Sequence, residues 1–375
     1  MFDTSGTGSD PVFHPLARLQ RALTLWDAVM LVVASVIGSG IFFTPGQVAE
    51  LLPHPLWILA AWLAGGGISL AGALANAELA AMFPRAGGDY VYVSEGVHPA
   101  AGFLVGWLSF GVIFTGTIAA VAAAFAEGVA RPLGWGEGAT VALAIAVTLA
   151  CSLLNYVGVR WGARANNLTS VVKIAALGAF VAIGPWVGSG DWANVWRPST
   201  AQAGAASALA FALAMSPVLF SYLGWNASVF VASEIRDPTR NVPRSLFYGL
   251  AVCTTVYLAV NVVYLYAVPL DALRGVPDAG RAAADALFGP VSATLVTTFV
   301  LVSILGTLNA TVLVGPRIAY AMALDGRFFG GVDVVAEGYQ TPGVAIALQA
   351  AIACGLLLAM RTFPRALDIT TFALL

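Results

Sequence analysis

Ile37-Gly38-Ser39-Gly40-Ile41-Phe42, followed by Thr44-Pro45-Gly46, interrupts the first long apolar run of this chain. Each glycine weakens a helix by about 1 kcal/mol relative to alanine, and a bilayer core holds no water to satisfy a freed backbone amide. Two readings are open. The small residues let a neighbouring helix pack closely, or the helix opens and the gap lines a cavity inside the protein. In the second case the amides of Ser39, Gly40, Ile41 and Phe42 head a half-helix whose dipole favours an anion such as a carboxylate. A second Gly-Ser-Gly, Gly188 to Gly190, falls in a predicted loop, so the tripeptide alone decides nothing.

The rest of the sequence supports a membrane setting for that run. The chain has 375 residues, 59% hydrophobic and only 10% charged, whereas a soluble domain carries roughly 25% charge. Together with a net charge of -2, this excludes a nucleic-acid partner, secretion and most soluble enzymology. The predicted class is an all-α multi-pass membrane protein whose partner is the lipid bilayer. A span needs about 20 apolar residues. Runs of that size lie near 26–50, 55–81, 100–130, 139–158, 166–187, 205–232, 245–269, 288–322 and 342–360, and a tenth begins near Ala366. Residues 1–25 read as a polar tail without a cleavable signal, ahead of a transmembrane core over 26–375. Ten arginines lie on the N-terminal side of the spans against six opposite, which predicts a cytoplasmic N-terminus in the cell membrane. Cys151, Cys253 and Cys354 all sit in apolar runs and suggest small packed hydrophobes, not a disulfide framework.

A second interruption, Phe220-Ser221-Tyr222-Leu223-Gly224-Trp225-Asn226, falls in the sixth run. Breaks at matching places five spans apart point to a repeated half and to a transporter's substrate site. Aromatic packing in a bundle core is the alternative for Phe220 and Trp225, but a buried amide at Asn226 requires partners. Lys173 is the only lysine and lies well inside the fifth run. It either snorkels to an interface or supplies a functional charge in the membrane, standing where a monovalent cation would bind or losing its proton when desolvated. Asp27, Glu50, Glu78, Glu127 and Glu234 lie near predicted helix ends, where capping or solvation is expected, and Glu234 is expected to join a charge network with Arg236, Asp237 and Arg240. No acidic residue is predicted at mid-span. The three histidines are scattered, and no metal, nucleophile-elbow or P-loop motif occurs, so neither an enzyme nor a cofactor is expected.

Gly38-Ser39-Gly40-Ile41-Phe42, the Pro84-Arg85-Ala86-Gly87-Gly88-Asp89-Tyr90 loop, the Lys173 helix, and Gly224-Trp225-Asn226 with Glu234, Asp237-Pro238, Arg240-Asn241 and Pro243 together resemble the amino acid, polyamine and organocation transporter superfamily. The Gly-Trp-Asn segment and its Arg-Asn-x-Pro tail look most like the L-type neutral amino acid branch. The resemblance implies a LeuT-like fold of five helices repeated in inverted orientation, the first repeat over about 26–187 and the second from about 205, with the first and sixth helices discontinuous and the tenth incomplete. It implies that amides near Ser39, Gly40 and Ile41 hold a substrate α-carboxylate, that carbonyls around Ile37, Phe220, Ser221 and Leu223 take the α-ammonium, and that Gly38 belongs to the same substrate-binding set. Phe220 falls where the family places an aromatic gate, and Asn226 where an amide holds the sixth helix or the substrate. Tyr257 and Asn261 match a Tyr-x-x-x-Asn pattern, with Tyr257 expected near the first helix and Lys173. Lys173 matches a lysine that replaces sodium in sodium-independent members. A loop over Arg131 to Ala139 without cysteine argues against a disulfide-linked heavy chain.

The expected function is sodium-independent exchange or import of small neutral L-amino acids by alternating access. Gly106, Ser109, Thr115 and Thr117 suggest a compact third-helix face suited to small substrates. The rivals are a carrier of cationic amino acids or polyamines, which calls for a carboxylate near the site, and a non-transporting amino-acid-binding receptor or assembly subunit.

Overall fold

A computed structural model describes residues 19–200, 207–289 and 292–360. The predicted start of a tenth span at Ala366 lies outside the described residues. In chain order the helices are α1 (Leu25–Val36), α2 (Gly40–Leu51), α3 (Pro55–Met82), α4 (Asp89–Gly96), α5 (Pro99–Leu108), α6 (Thr115–Ala130), α7 (Glu137–Tyr156) and α8 (Val159–Val187). They continue with α9 (Ala208–Tyr222), α10 (Ala227–Phe230), α11 (Pro238–Ala267), α12 (Leu270–Leu273), α13 (Ala279–Phe288), α14 (Ser292–Val314), α15 (Pro316–Leu324) and α16 (Gly343–Met360). Seven helical segments among the described residues are long and apolar enough to cross a membrane, and α1 with α2 make an eighth as one span bent by 46°. The chain is a multi-pass membrane protein.

Local chemistry sets the helix starts. Thr24 and Asp27 close a capping box at α1, with Asp27 N 3.3 Å from Thr24 Oγ1 and Thr24 N 2.8 Å from Asp27 Oδ2, which satisfies two otherwise orphaned donors. His54 and His98, expected only as loop residues, each cap a helix that opens with proline. Their Nδ1 atoms accept from Leu56 N and Ala100 N, both at 3.1 Å. Proline is well placed there because its missing N–H would have had no partner. The third span carries a π-helical turn over Ser109–Phe114 that joins α5 to α6, and Thr115 Oγ1 donates to the carbonyl of Phe110 at 2.5 Å.

Packing separates a buried helix from lipid-facing ones. Eight of the twelve residues of α1 are buried, because α8, α11 and α14 surround it. Helices α7 and α8 instead leave Leu149, Leu153, Leu168 and Ile183 exposed, a surface stable in hydrocarbon and aggregation-prone in water. Between the broken spans and α3, Tyr257 packs edge-on against Trp62 and Tyr222, with ring centroids 5.3 and 5.1 Å away.

Two sequence expectations require correction. Glu234 does not join Arg236, Asp237 and Arg240; it is fully buried and pairs with Arg317, whose Nε and Nη2 lie 2.9 and 3.1 Å from its two carboxylate oxygens. The 3-10 turn Ala232–Glu234 points this side chain inward toward α15. Arg317, one of the ten arginines assigned above to the N-terminal side, therefore belongs to the core. The chain before α1 is clipped to the same region, since Leu23 N donates to the carbonyl of Glu234 at 2.8 Å and Arg236 N to that of Leu23 at 2.9 Å.

Candidate functional site

Both glycine-containing runs are opened where the sequence places the breaks. Helix α1 ends at Val36 and α2 begins at Gly40, while α9 ends at Tyr222 and α10 begins at Ala227. Two glycines bring the broken segments together. A Cβ on Gly40 would lie 2.7–2.9 Å from atoms of Ser221, and one on Gly224 would lie 2.9–3.0 Å from Ser35, largely its backbone. Gly224 also has φ of +94°, a region closed to most side chains.

The opened segments line a cavity of about 420 Å³. Its wall includes Gly38, Ser39 and Gly40 from the first break and Phe220, Ser221, Leu223 and Asn226 from the second. The amides of Phe42 and Phe43 donate to the carbonyl of Ser39 at 3.1 and 3.3 Å, whereas those of Ser39, Gly40 and Ile41 donate to no protein acceptor among the described residues. Three adjacent free donors at a helix N-terminus form an anion-binding arrangement. Ser221 Oγ lies 2.8 Å from Thr44 Oγ1, tying the two breaks across the wall.

Ile37 and Ile41 do not line the cavity; both side chains are fully buried. The carbonyl of Ile37 faces Lys173, whose Nζ donates to Ile37 O at 2.6 Å, Ala34 O at 3.0 Å and Thr307 Oγ1 at 3.1 Å. Ser303 Oγ donates to the same Ile37 oxygen at 3.2 Å. Lys173 does not snorkel, being completely buried. The Tyr257 hydroxyl lies 2.7 Å from the carbonyl of Val36 and 2.9 Å from that of Ser221, so it bridges the two breaks. Asn261 donates to the carbonyl of Tyr257 at 2.8 Å.

On the third span, Ser109 and Thr117 reach the cavity. Gly106 instead packs against Met322 and Tyr90, and Thr115 is buried with its hydroxyl on the π-turn. The compact face suggested by four residues is thus carried by two.

Sequence reasoning missed three contributors. Ser303 and Thr307 are four apart on α14, a spacing that places both hydroxyls on one helix face. The third is Asp89, which lines the cavity although no acidic residue is predicted at mid-span. Its loop is docked on the sixth span, with Ala86 N donating to Ser233 Oγ at 2.7 Å and Gly87 N to the carbonyl of Phe230 at 3.2 Å. Gly87 and Gly88 take φ of +114° and +53°, turning Asp89 inward, where it accepts from Asn226 Nδ2 at 3.2 Å. Burial pushes its carboxyl above the ordinary value, partly opposed by a hydrogen bond from Asn76.

Comparison with known proteins gives a consistent picture. A family model described as amino acid permease matches residues 23–375. The chain is 31% identical over 338 residues to the serine/threonine exchanger SteT of Bacillus subtilis (strain 168), covering 89% of this chain and 76% of that protein. It is 28% identical over 340 residues to the b(0,+)-type amino acid transporter 1 of Homo sapiens, with 89% and 69% covered. Against the human large neutral amino acids transporter small subunit 2 the identity is 30% over 323 residues, with 82% of this chain and 59% of that protein covered.

Proposed function

Because this chain belongs to the amino acid permease family, within the amino acid, polyamine and organocation superfamily, we propose that it carries small neutral L-amino acids across the membrane without sodium, by exchange or import. The observation that carries this reading is the row of free amides at Ser39, Gly40 and Ile41 beside a cavity walled by both helix breaks. The amides take the substrate carboxylate, and the α2 dipole adds to their pull. Phe220 and Leu223, each more than two-fifths exposed, line the same cavity.

The coordination of Lys173 supports sodium independence. Its ammonium occupies a nest of two carbonyls and one hydroxyl, an oxygen-rich set suited to a monovalent cation, with a fixed charge in the cation's place. In this reading the broken spans belong to two inverted repeats, and α1, α2, α9 and α10 rock against the third, fourth, eighth and ninth spans with the N-terminus in the cytoplasm. No disulfide-linked heavy chain takes part.

Counterflow tests the proposal: proteoliposomes preloaded with unlabelled L-alanine receive labelled L-alanine in sodium-free buffer. Accumulation that depends on the preload is expected. Absence of accumulation by folded protein, or a requirement for sodium, would overturn it. Faster entry of tryptophan than alanine would overturn the small-substrate part alone.

A further inference from the structure

A second cavity, of about 550 Å³, opens between α2, α8, α11, α13 and α14 and shares no lining residue with the first. Its volume falls within the roughly 300–1,000 Å³ of small-molecule sites. Five aromatic rings wall it: Phe42 packs against Phe299, and Phe180 against Tyr264 and Phe288, with centroids 5.8, 5.8 and 6.3 Å apart. Only Tyr264 and Ser292 bring polar side-chain atoms to the lining, too few to hold ordered water. Left empty, the walls forfeit dispersion contacts. Ile183 and Leu295, both in the wall, are 50% and 72% exposed on the hydrocarbon-facing surface, so an acyl chain of the bilayer reaches the cavity without crossing water.

One end of the cavity is charged. Tyr264 is 1% exposed, and its hydroxyl has no hydrogen-bond partner among the described residues. A Cβ on Gly280 would lie 3.0 Å from that hydroxyl and 3.5 Å from Asp278 Oδ1, which places both at the α13 wall. Ser292 Oγ donates to Asp285 Oδ1 at 3.2 Å, and Arg281 Nε lies 3.6 Å from Asp285 Oδ2. The charged neighbours of Asp278 are Arg281 and Asp285. Two carboxylates thus share one guanidinium, whose side chain remains 58% exposed. A zwitterionic head group matches this rim: Arg281 answers a phosphate, the surplus carboxylate answers a primary ammonium, and the Tyr264 hydroxyl can donate to an ester carbonyl. An anionic head group would leave that surplus carboxylate unanswered.

We propose that this cavity binds a phospholipid with an ethanolamine-type head group, one acyl chain filling the aromatic-walled space and the head resting on Asp278, Arg281 and Asp285. The site bears on the broken first span. Phe42 is the third residue of α2, the half-helix that presents the free amides, and a Cβ on Gly280 would lie 2.6 Å from its ring. The bound chain therefore packs against α2 from the side away from the first cavity, whatever that cavity carries.

The probe is phosphatidylethanolamine with a photoactivatable diazirine at the end of one acyl chain, present at low mole fraction with the full chain in phosphatidylcholine vesicles. Adducts are mapped by mass spectrometry. Labelling is expected at Phe42, Phe180 and Phe299. Ala179→Trp, at an exposed position of the wall, and Ala284→Leu both place bulk in the cavity and should lower that labelling by about fivefold or more. Leu149 and Leu153 on the exposed surface of α7 should label as in wild type, which also shows that the variants are folded. Unlabelled phosphatidylethanolamine should compete roughly fivefold better than phosphatidylglycerol, and Arg281→Gln or Asp285→Asn should cut this preference by about half or more. Equal labelling of the three phenylalanines in wild type and both plugged variants would overturn the site and leave only annular lipid. Equal competition by phosphatidylethanolamine, phosphatidylglycerol and free fatty acid would overturn the head-group assignment. Transport is not part of the readout, so failure of the carrier reading would leave this result standing.

Discussion

The Lys173 ammonium lies 2.6 Å from the carbonyl oxygen of Ile37, at the residue where the first helix opens. The contact joins a residue of the fifth span to a backbone atom that a continuous helix would have used itself. Opening the helix exposes carbonyls that must find donors in a medium without water, and Lys173, Ser303 and Thr307 provide them.

Replacement of Lys173 by methionine keeps an unbranched side chain, one atom shorter, and removes its donors. The Ala34 and Ile37 carbonyls then lose their charged donor and keep only the Thr307 and Ser303 hydroxyls, a loss of about 1.5–3 kcal/mol, so alanine counterflow should fall at least tenfold. Arginine should not restore it, because its planar fork does not fit a pocket shaped around a single ammonium. Flux equal to wild type in Lys173→Met would show that the nest has no part in transport.

Close approach between the breaks depends on Gly40 and Gly224. A methyl at Gly40 meets Ser221 below 3.0 Å, whereas a methyl at Gly67 on α3 would have open space for 4 Å around it. Gly40→Ala should therefore abolish most transport, and Gly67→Ala should preserve it and stabilise the helix by about 0.5–1 kcal/mol. Thermal unfolding and counterflow on both variants separate a packing defect from a general glycine effect.

Glu234 and Arg317 form a fully buried pair. Removing one partner leaves an uncompensated charge, and Glu234→Gln or Arg317→Met should each destabilise by about 3–5 kcal/mol. The double replacement should recover a substantial part of that loss. Purely additive melting temperatures across the four proteins would argue against direct coupling.

Asp89 gives a pH dependence whose sign follows from its burial. The folded protein disfavours its charged form, so its carboxyl is raised above the ordinary 3.8. The resulting penalty is absent at pH values below the unfolded carboxyl's range and grows as pH rises through the raised folded value. Asp89→Asn should consequently raise the melting temperature at pH 7 relative to wild type, and the advantage should vanish toward pH 4. An advantage that is constant over this interval would trace to packing and not to the charge.

Much of this site could be read along the chain. Gly38-Ser39-Gly40 and the Phe220–Asn226 segment carry their own signal, because glycine and polar residues inside an apolar run have a definite cost in lipid. Lys173 stands out for the same reason: it is the only lysine, and it lies within a span. Span positions followed from apolar length, although α8 and α11 begin about seven residues earlier than expected. Their first two turns hold Arg160, Arg164, Arg240 and Arg244, which polarity alone assigns to loops.

Other features depend on contacts between residues far apart in sequence. Glu234 meets Arg317 across 83 positions and Asp89 meets Asn226 across 137, and neither spacing has a local signature. The chain determined where helices must break, since backbone amides and apolar lengths obey local rules of solvation. Only the folded arrangement decided which donors answer those breaks, why the Ile37 carbonyl faces Lys173 instead of the cavity, and how a loop carboxylate came to lie in the cavity wall. Those outcomes depend on the directions in which packed helices point their side chains, and that information exists only once the helices have met.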